Sequence, residues 1–279
     1  MKITPFSKGC GAVVSGVQLA NLTDEEHDFI RLSFVENGLL FFRDQNLTPE
    51  QHLKFAREYG HIVQNKFFTP VEGHAGIVEV RKEKHQNMNI GGGWHTDHSY
   101  DSIPALGSIL VAKELPKKGG DTHFANLYAA YDALSDGLKN VLLGLTAIHS
   151  NEHLYSENGY YSETDIAHML VGKDMVGSAK HPVVIVHPES GRKSLYVNPG
   201  HTIQFEGWSF EESRALLEYL YKHVAQEQFT CQFNWQPGSV AFWDNRSTWH
   251  FAQNDYQGEA RLMHRITLEG SKLNRATSY

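Results

Sequence analysis

A mainly β (α+β) fold, with a double-stranded β-helix (jelly-roll) core and flanking and inserted helices, is predicted by three features of the 279-residue sequence. From residue 95 onward, short strand signals separated by turn residues dominate, the pattern of a sandwich or barrel. Helix signals gather in the first 60 residues, in an insert around 126–180 and in one later segment. No internal repeat, low-complexity tract or linker divides the chain. A single domain over 1–279 is therefore expected, a length that such folds reach as one unit.

Residues 12–17 read as a first strand. Thr23 and Glu26 make a capping box ahead of an expected apolar face of Phe29, Ile30, Leu32, Phe34 and Val35, and Gly38 stops that helix. Residues 39–42 are a continuous apolar run, as in a buried strand. Thr48, Pro49 and Gln51 repeat the start signal, and Gly60 is the next stop. Strands follow at 76–80 and 106–112, after which Gly119-Gly120 turns the chain into Asp121-Thr122. Leu127, Ala130, Tyr131 and Leu134 share a helix face, and 138–145 continues the pattern. Residues 150–180 are polar with few periodic signals, which suits either a lid over a site or a peripheral insert. Strands at 183–186 and 194–197 flank the turn at Pro188-Glu189-Ser190-Gly191. Ser209 and Glu212 cap a helix that ends near residue 224. Strands around 229–235, 239–243 and 262–268 close the order.

Composition narrows the function. Net charge is −7, from 25 basic and 32 acidic residues, and the basic residues form no run. Nucleic acid and anionic membrane are therefore not expected as partners, while a small anion is acceptable beside a local arginine. Only two cysteines are present, Cys10 and Cys231, so neither a disulfide framework nor a cysteine-built zinc site is expected. No apolar run approaches the roughly 20 residues of a membrane helix, and the N-terminal residues lack a signal-peptide core. These features point to a cytoplasmic, reducing compartment.

The stretch Gly91-Gly92-Gly93-Trp94-His95-Thr96-Asp97 carries the chemistry. On an extended strand His95 and Asp97 leave the same face. One imidazole and one carboxylate are two-thirds of a facial triad for Fe(II). Alone the pattern is weak, because 17 histidines make a chance His-x-Asp common. His250, after the strand and turn at 239–247, is the candidate third ligand. On the last strand Arg261, Met263 and Arg265 share a face, and two arginines on an apolar strand imply anionic partners. The other histidines, including His98, His123, His149 and His264, are expected to be bystanders.

Taken together, His95-Thr96-Asp97, His250 and Arg261 resemble the taurine dioxygenase / 2,4-dichlorophenoxyacetate dioxygenase family of Fe(II)- and 2-oxoglutarate-dependent oxygenases. Gly119-Gly120-Asp121-Thr122, Trp243-Asp244-Asn245-Arg246 and Met263-His264-Arg265 fall where that family has them, and the likeness runs from about residue 3 to 269. The resemblance implies that His95, Asp97 and His250 hold Fe(II), with O2 and 2-oxoglutarate as co-substrates. Arg261 and Thr122 would take the distal carboxylate of 2-oxoglutarate, and Arg265 the anionic head of a small organic substrate. The implied reaction is hydroxylation, with succinate and CO2 as co-products, in a homo-oligomer. Two departures bear on the substrate. The 64–68 stretch has no histidine where the taurine branch places one, and Gly91 stands where that branch has asparagine. Taurine itself is thereby disfavoured, with Asn65 and Phe68 as substrate contacts and Phe67 and Tyr100 as further wall for a larger body. Two other readings stay open at this point. Two histidines and a carboxylate also suit a zinc hydrolase, although no H-E-x-x-H occurs. A non-catalytic jelly-roll protein that binds a carboxylate is the other.

Overall fold

The computed structural model describes residues 1–64 and 67–277. Its two N-terminal helices, Asp24–Asn37 and Pro49–Arg57, begin at the expected capping boxes. In each the threonine side chain accepts from the third helical N–H, while that residue's side chain accepts from the threonine N–H. Gly38 closes the first helix at φ 67°, donating its N–H to Phe34 O. A Cβ there would lie 2.3 Å from Ser247 Oγ, so glycine serves both conformation and space.

The larger sheet runs Lys2–Pro5, Ala12–Ser15, Leu39–Phe42, Val240–Asp244, Gly107–Glu114, Arg261–Leu268, His74–Lys82 and Pro70–Val71, and Ile62–Val63 also pairs with Arg261–Leu268. A second sheet is antiparallel, with Thr122–Asn126 between Thr230–Phe233 and Thr248–Ala252. Strand alternation divides the apolar residues between two layers. Leu39, Phe41, Leu110, Trp243 and Met263 meet Phe124 and Phe233 of the second sheet in one core. Leu40, Phe42, Phe242 and Ile266 face the other way, onto Ile30, Phe34 and Phe55 of the helices. This is a jelly-roll sandwich with its helices packed outside. Among the described residues no helix is long and apolar enough to cross a membrane.

Several elements differ from the sequence reading. Lys2–Pro5 is a strand, antiparallel to Ala12–Ser15, although its half-exposed residues carry no apolar pattern. The helical run expected from 127 to 145 is two helices, Leu127–Asp132 and Asp136–Leu143, because Ser135 caps a fresh start. The weakly patterned 150–180 stretch holds the one-turn helices Glu152–Tyr155, Tyr160–Glu163, Ala167–Leu170 and Lys173–Met175. Pieces this short cannot show a 3.6-residue period. Asn151 gathers them, donating to Met175 O and accepting from Gly177 N.

Candidate active site

The extended strand expected over His95–Asp97 shrinks to a single bridge. His95 and His250 exchange backbone hydrogen bonds of 3.1 and 2.9 Å, and the chain then turns at Asp97–Tyr100. The bridge sets the two imidazoles side by side, with ring centroids 4.2 Å apart. The turn delivers the carboxylate. Asp97 Oδ1 lies 3.6 Å from His95 Nε2, and Asp97 Oδ2 lies 3.5 Å from His250 Nε2. One potential ligand atom from each of the three lies within 4.8 Å of the others. Thr96 Oγ1, donating to Thr248 O at 3.1 Å, ties the motif to the second sheet. Gly200 permits the close approach behind it, since a Cβ there would sit 2.8 Å from His95 Cβ.

Protonation suits a cation. His95 Nδ1 lies 2.8 Å from Gly93 O. A carbonyl only accepts, so Nδ1 carries the hydrogen and Nε2 offers its lone pair. Burial holds the His250 ring neutral, its pKa well below the usual histidine value. Asp97 is pushed up by burial, yet Arg265 and the two imidazoles outweigh that and hold it well below the carboxylate range. A metal ion requires this state: deprotonated ligands that need no further proton loss.

Arg265 sits on Asp97. Its Nη2 is 2.5 Å from Asp97 Oδ2 and 2.9 Å from Ser108 Oγ, and its Nε donates to the same hydroxyl at 3.1 Å. The sequence reading aimed this guanidinium at the substrate. In the structure it borders the cavity but is engaged with Asp97, the nearest anion to a buried cation.

Arg261 has no such partner. It is 4% exposed, its Nη2 lies 3.5 Å from Thr122 Oγ1, and its guanidinium is 5.7 Å from the Trp235 ring. Among the described residues no carboxylate pairs with it, and its Nε is unpartnered. The acidic neighbours Asp255 and Glu259 are taken by the Gly120 and Lys117 N–H groups. Burial pulls Arg261 below the ordinary arginine value. A buried cation left this way is a receptor for an anion. Thr122 Oγ1 already accepts from Trp235 Nε1 at 2.9 Å, so its own hydrogen is free to donate.

His95, Asp97, His250, Thr122, Arg261 and Arg265 all line one cavity of about 570 Å³. Phe67, Phe68 and Tyr100 form part of its wall, as the sequence suggested, and Asn65 lies outside the described residues. Among the lining residues that sequence reasoning did not place there are Tyr155 and Tyr161 from the 150–180 stretch and His201. Burial drives the His201 ring down to about 3. No local pattern marks these positions; only the path of the chain brings them to the cavity.

Two imidazoles and a carboxylate on one side of a jelly roll, beside a buried unpaired arginine, define a non-haem Fe(II) oxygenase that uses an acidic co-substrate. A family model described as "Taurine catabolism dioxygenase TauD, TfdA family" matches residues 2–267, and the chain belongs to that family. It is similar to an alkylsulfatase of Acinetobacter baylyi, 38% identical over 93% of this chain and 82% of the relative. An alpha-ketoglutarate-dependent sulfate ester dioxygenase of Pseudomonas putida is 33% identical over 96% of this chain and 94% of the relative. A crystal structure of a putative alpha-ketoglutarate-dependent taurine dioxygenase from Burkholderia xenovorans superposes with TM-score 0.83, at 36% identity over 97% of this chain and 93% of the other. The protein is accordingly an Fe(II)/2-oxoglutarate-dependent dioxygenase, with O2 as the second co-substrate.

Proposed function

We propose that the protein hydroxylates a small organic anion (a sulfate ester, sulfonate, aryloxyalkanoate or related acid), releasing succinate and CO2. Sulfate esters lead this group because the Pseudomonas relative is named for them. The observation that carries the reading is Arg261, a buried cation without a carboxylate partner among the described residues, in the same cavity as the His-Asp-His group. A zinc hydrolase or a carboxylate carrier uses only one half of that pairing. His95, Asp97 and His250 are assigned to Fe(II), and Arg261 with Thr122 to the distal carboxylate of 2-oxoglutarate. Bound iron supplies the oxygen activation that the fold alone lacks.

What the chain contributes is position and dryness. Gly93 O holds His95 in the tautomer that presents Nε2. Arg265, itself held by Ser108 Oγ, fixes the Asp97 carboxylate at one setting. A diacid anchored at Arg261 has its other end free to turn toward the three ligands, which lie in the same cavity. The aromatic wall of Phe67, Phe68 and Tyr100 excludes water and accepts an apolar substrate body larger than that of taurine. A single domain over 1–279, cytoplasmic residence and a homo-oligomeric state belong to the same reading. The unbroken family match over 2–267 supports the first, and two free buried thiols support the second.

The test is an anaerobic visible spectrum of the protein titrated with Fe(II) and then with 2-oxoglutarate. A weak metal-to-ligand charge-transfer band is expected, followed by shifts when sulfate esters, sulfonates or aryloxyalkanoates are added. No band, together with tight zinc binding and hydrolysis of an ester, refutes the proposal.

A further inference from the structure

Two histidines outside the metal group, His98 and His201, border the cavity with one ring nitrogen held and no hydrogen bond on the other among the described residues; His98 sits half-buried on the Asp101 carboxylate, whereas His201 is buried. Its backbone is fixed at both ends: His201 N donates to Asn198 Oδ1 at 2.9 Å, and His201 O accepts from Ser150 N at 2.7 Å. Its ring stands edge-on to Tyr100, with centroids 4.9 Å apart at 89°. Nδ1 lies 3.1 Å from both Thr96 O and Ser99 Oγ. Because the Thr96 carbonyl only accepts, Nδ1 carries the hydrogen, and in the uncharged ring Nε2 is then a lone pair. Among the described residues nothing bonds Nε2, nor is it among the sealed unpartnered atoms, although the residue is only 4% exposed. The residue lines the cavity, so with Nδ1 held, Nε2 is the ring nitrogen left to meet what the cavity holds.

We infer that His201 is a specificity-determining residue, whose Nε2 accepts a hydrogen bond from a hydroxyl or N–H group carried by the primary substrate. The inference rests on the dioxygenase reading above and narrows its substrate. A lone pair repels sulfate, sulfonate and carboxylate oxygens, so the acid head lies away from His201. The substrate is then bifunctional, with an acid group at one end, an apolar body against the aromatic wall and a donor on the His201 side. Thr96 and Ser99 bracket Asp97 in sequence, so the ring that reads this donor is also braced against the turn that carries an iron ligand.

Matched pairs of probes test this with the Fe(II)- and 2-oxoglutarate-loaded enzyme: hydroxybutyl sulfate against butyl sulfate, hydroxyphenoxyacetate against phenoxyacetate, and aminopropanesulfonate against propanesulfonate. In the wild type kcat/KM for at least one donor-bearing member should exceed that of its partner by about tenfold, the order of one well-made hydrogen bond. His201→Phe should bring that ratio to about one, and His201→Gln, which keeps an acceptor oxygen, should restore part of it. A merely structural ring would lower both members of a pair equally and leave the ratio intact, which overturns the inference. So does a panel in which donor-bearing members do no better, a silent panel included. If the charge-transfer band and 2-oxoglutarate decay persist in that case, the dioxygenase reading stands and only the donor claim falls; loss of the band as well takes down both.

Discussion

Arg261→Met separates an anion receptor from a structural cation, because the two roles predict opposite changes in stability. Methionine keeps an unbranched chain of similar reach in the buried space against Trp235 but removes the charge and the fork of donors. If Arg261 binds 2-oxoglutarate, the variant loses two charge-assisted hydrogen bonds, each worth about 1.5–3 kcal/mol. At a factor of ten per 1.4 kcal/mol, the 2-oxoglutarate KM should rise by about 10² to 10⁴. The ligand-free protein should meanwhile be as stable as the wild type or more so, since a buried cation with no carboxylate partner is removed. Chemical denaturation with and without 2-oxoglutarate supplies the second half of the assay. At 100 times the wild-type Kd the wild type should gain about 2.7 kcal/mol, and the variant at most about 0.4 kcal/mol at the same concentration. A variant with normal KM, or one that loses the about 3–5 kcal/mol expected for a broken buried ion pair, refutes the assignment.

Two further outcomes follow from the same geometry. Arg265→Gln removes the guanidinium that holds Asp97, so Fe(II) affinity should fall by about 10- to 100-fold, as for other residues that orient a metal ligand. Anaerobic competition with a chelator reads this; unchanged affinity with a raised primary-substrate KM would return Arg265 to a pure substrate anchor. The buried ring of His52 is pulled down to about 3 by its burial, with positive neighbours His264 and Lys113 adding to the effect. Between pH 3 and about 6.5 the unfolded chain binds this proton and the native state does not, so stability rises with pH across that window and is lost on acidification. His52→Phe should reduce that slope by about 1.4 kcal/mol per pH unit, measured by denaturant unfolding at several pH values. An unaltered slope would mean that the native ring titrates normally.

Much of the fold could be read from the sequence because its signals are local. The capping boxes at Thr23, Thr48 and Ser209 act within three residues, and each structural helix begins at the next position. The buried strand Leu39–Phe42 announces itself by four consecutive apolar residues that serve two cores, odd positions inward and even positions onto the helices. The strand Lys2–Pro5 left no such mark, since it is held by backbone pairing with Ala12–Ser15 and buries little. The one-turn helices between Glu152 and Met175 escaped notice for the same reason: nothing in them repeats.

The site divides along the same line. His95, Asp97, His250, Thr122, Arg261 and Arg265 were identifiable from the sequence because each metal ligand and each buried charge needs a particular residue type at a particular spacing. The partners of those charges were decided only by the tertiary structure. Arg261 and Arg265 stand four apart on one strand face and look equivalent in sequence. One meets Asp97 across the sheet and is engaged, while the other meets only Trp235 and Thr122 and waits for an anion. His201 was indistinguishable from the fourteen other histidines outside the metal group until the chain brought it against Thr96 and Ser99. Residue type and spacing are local properties that a sequence carries; the partner of a buried polar atom depends on contacts between residues more than a hundred positions apart, and only folding supplies them.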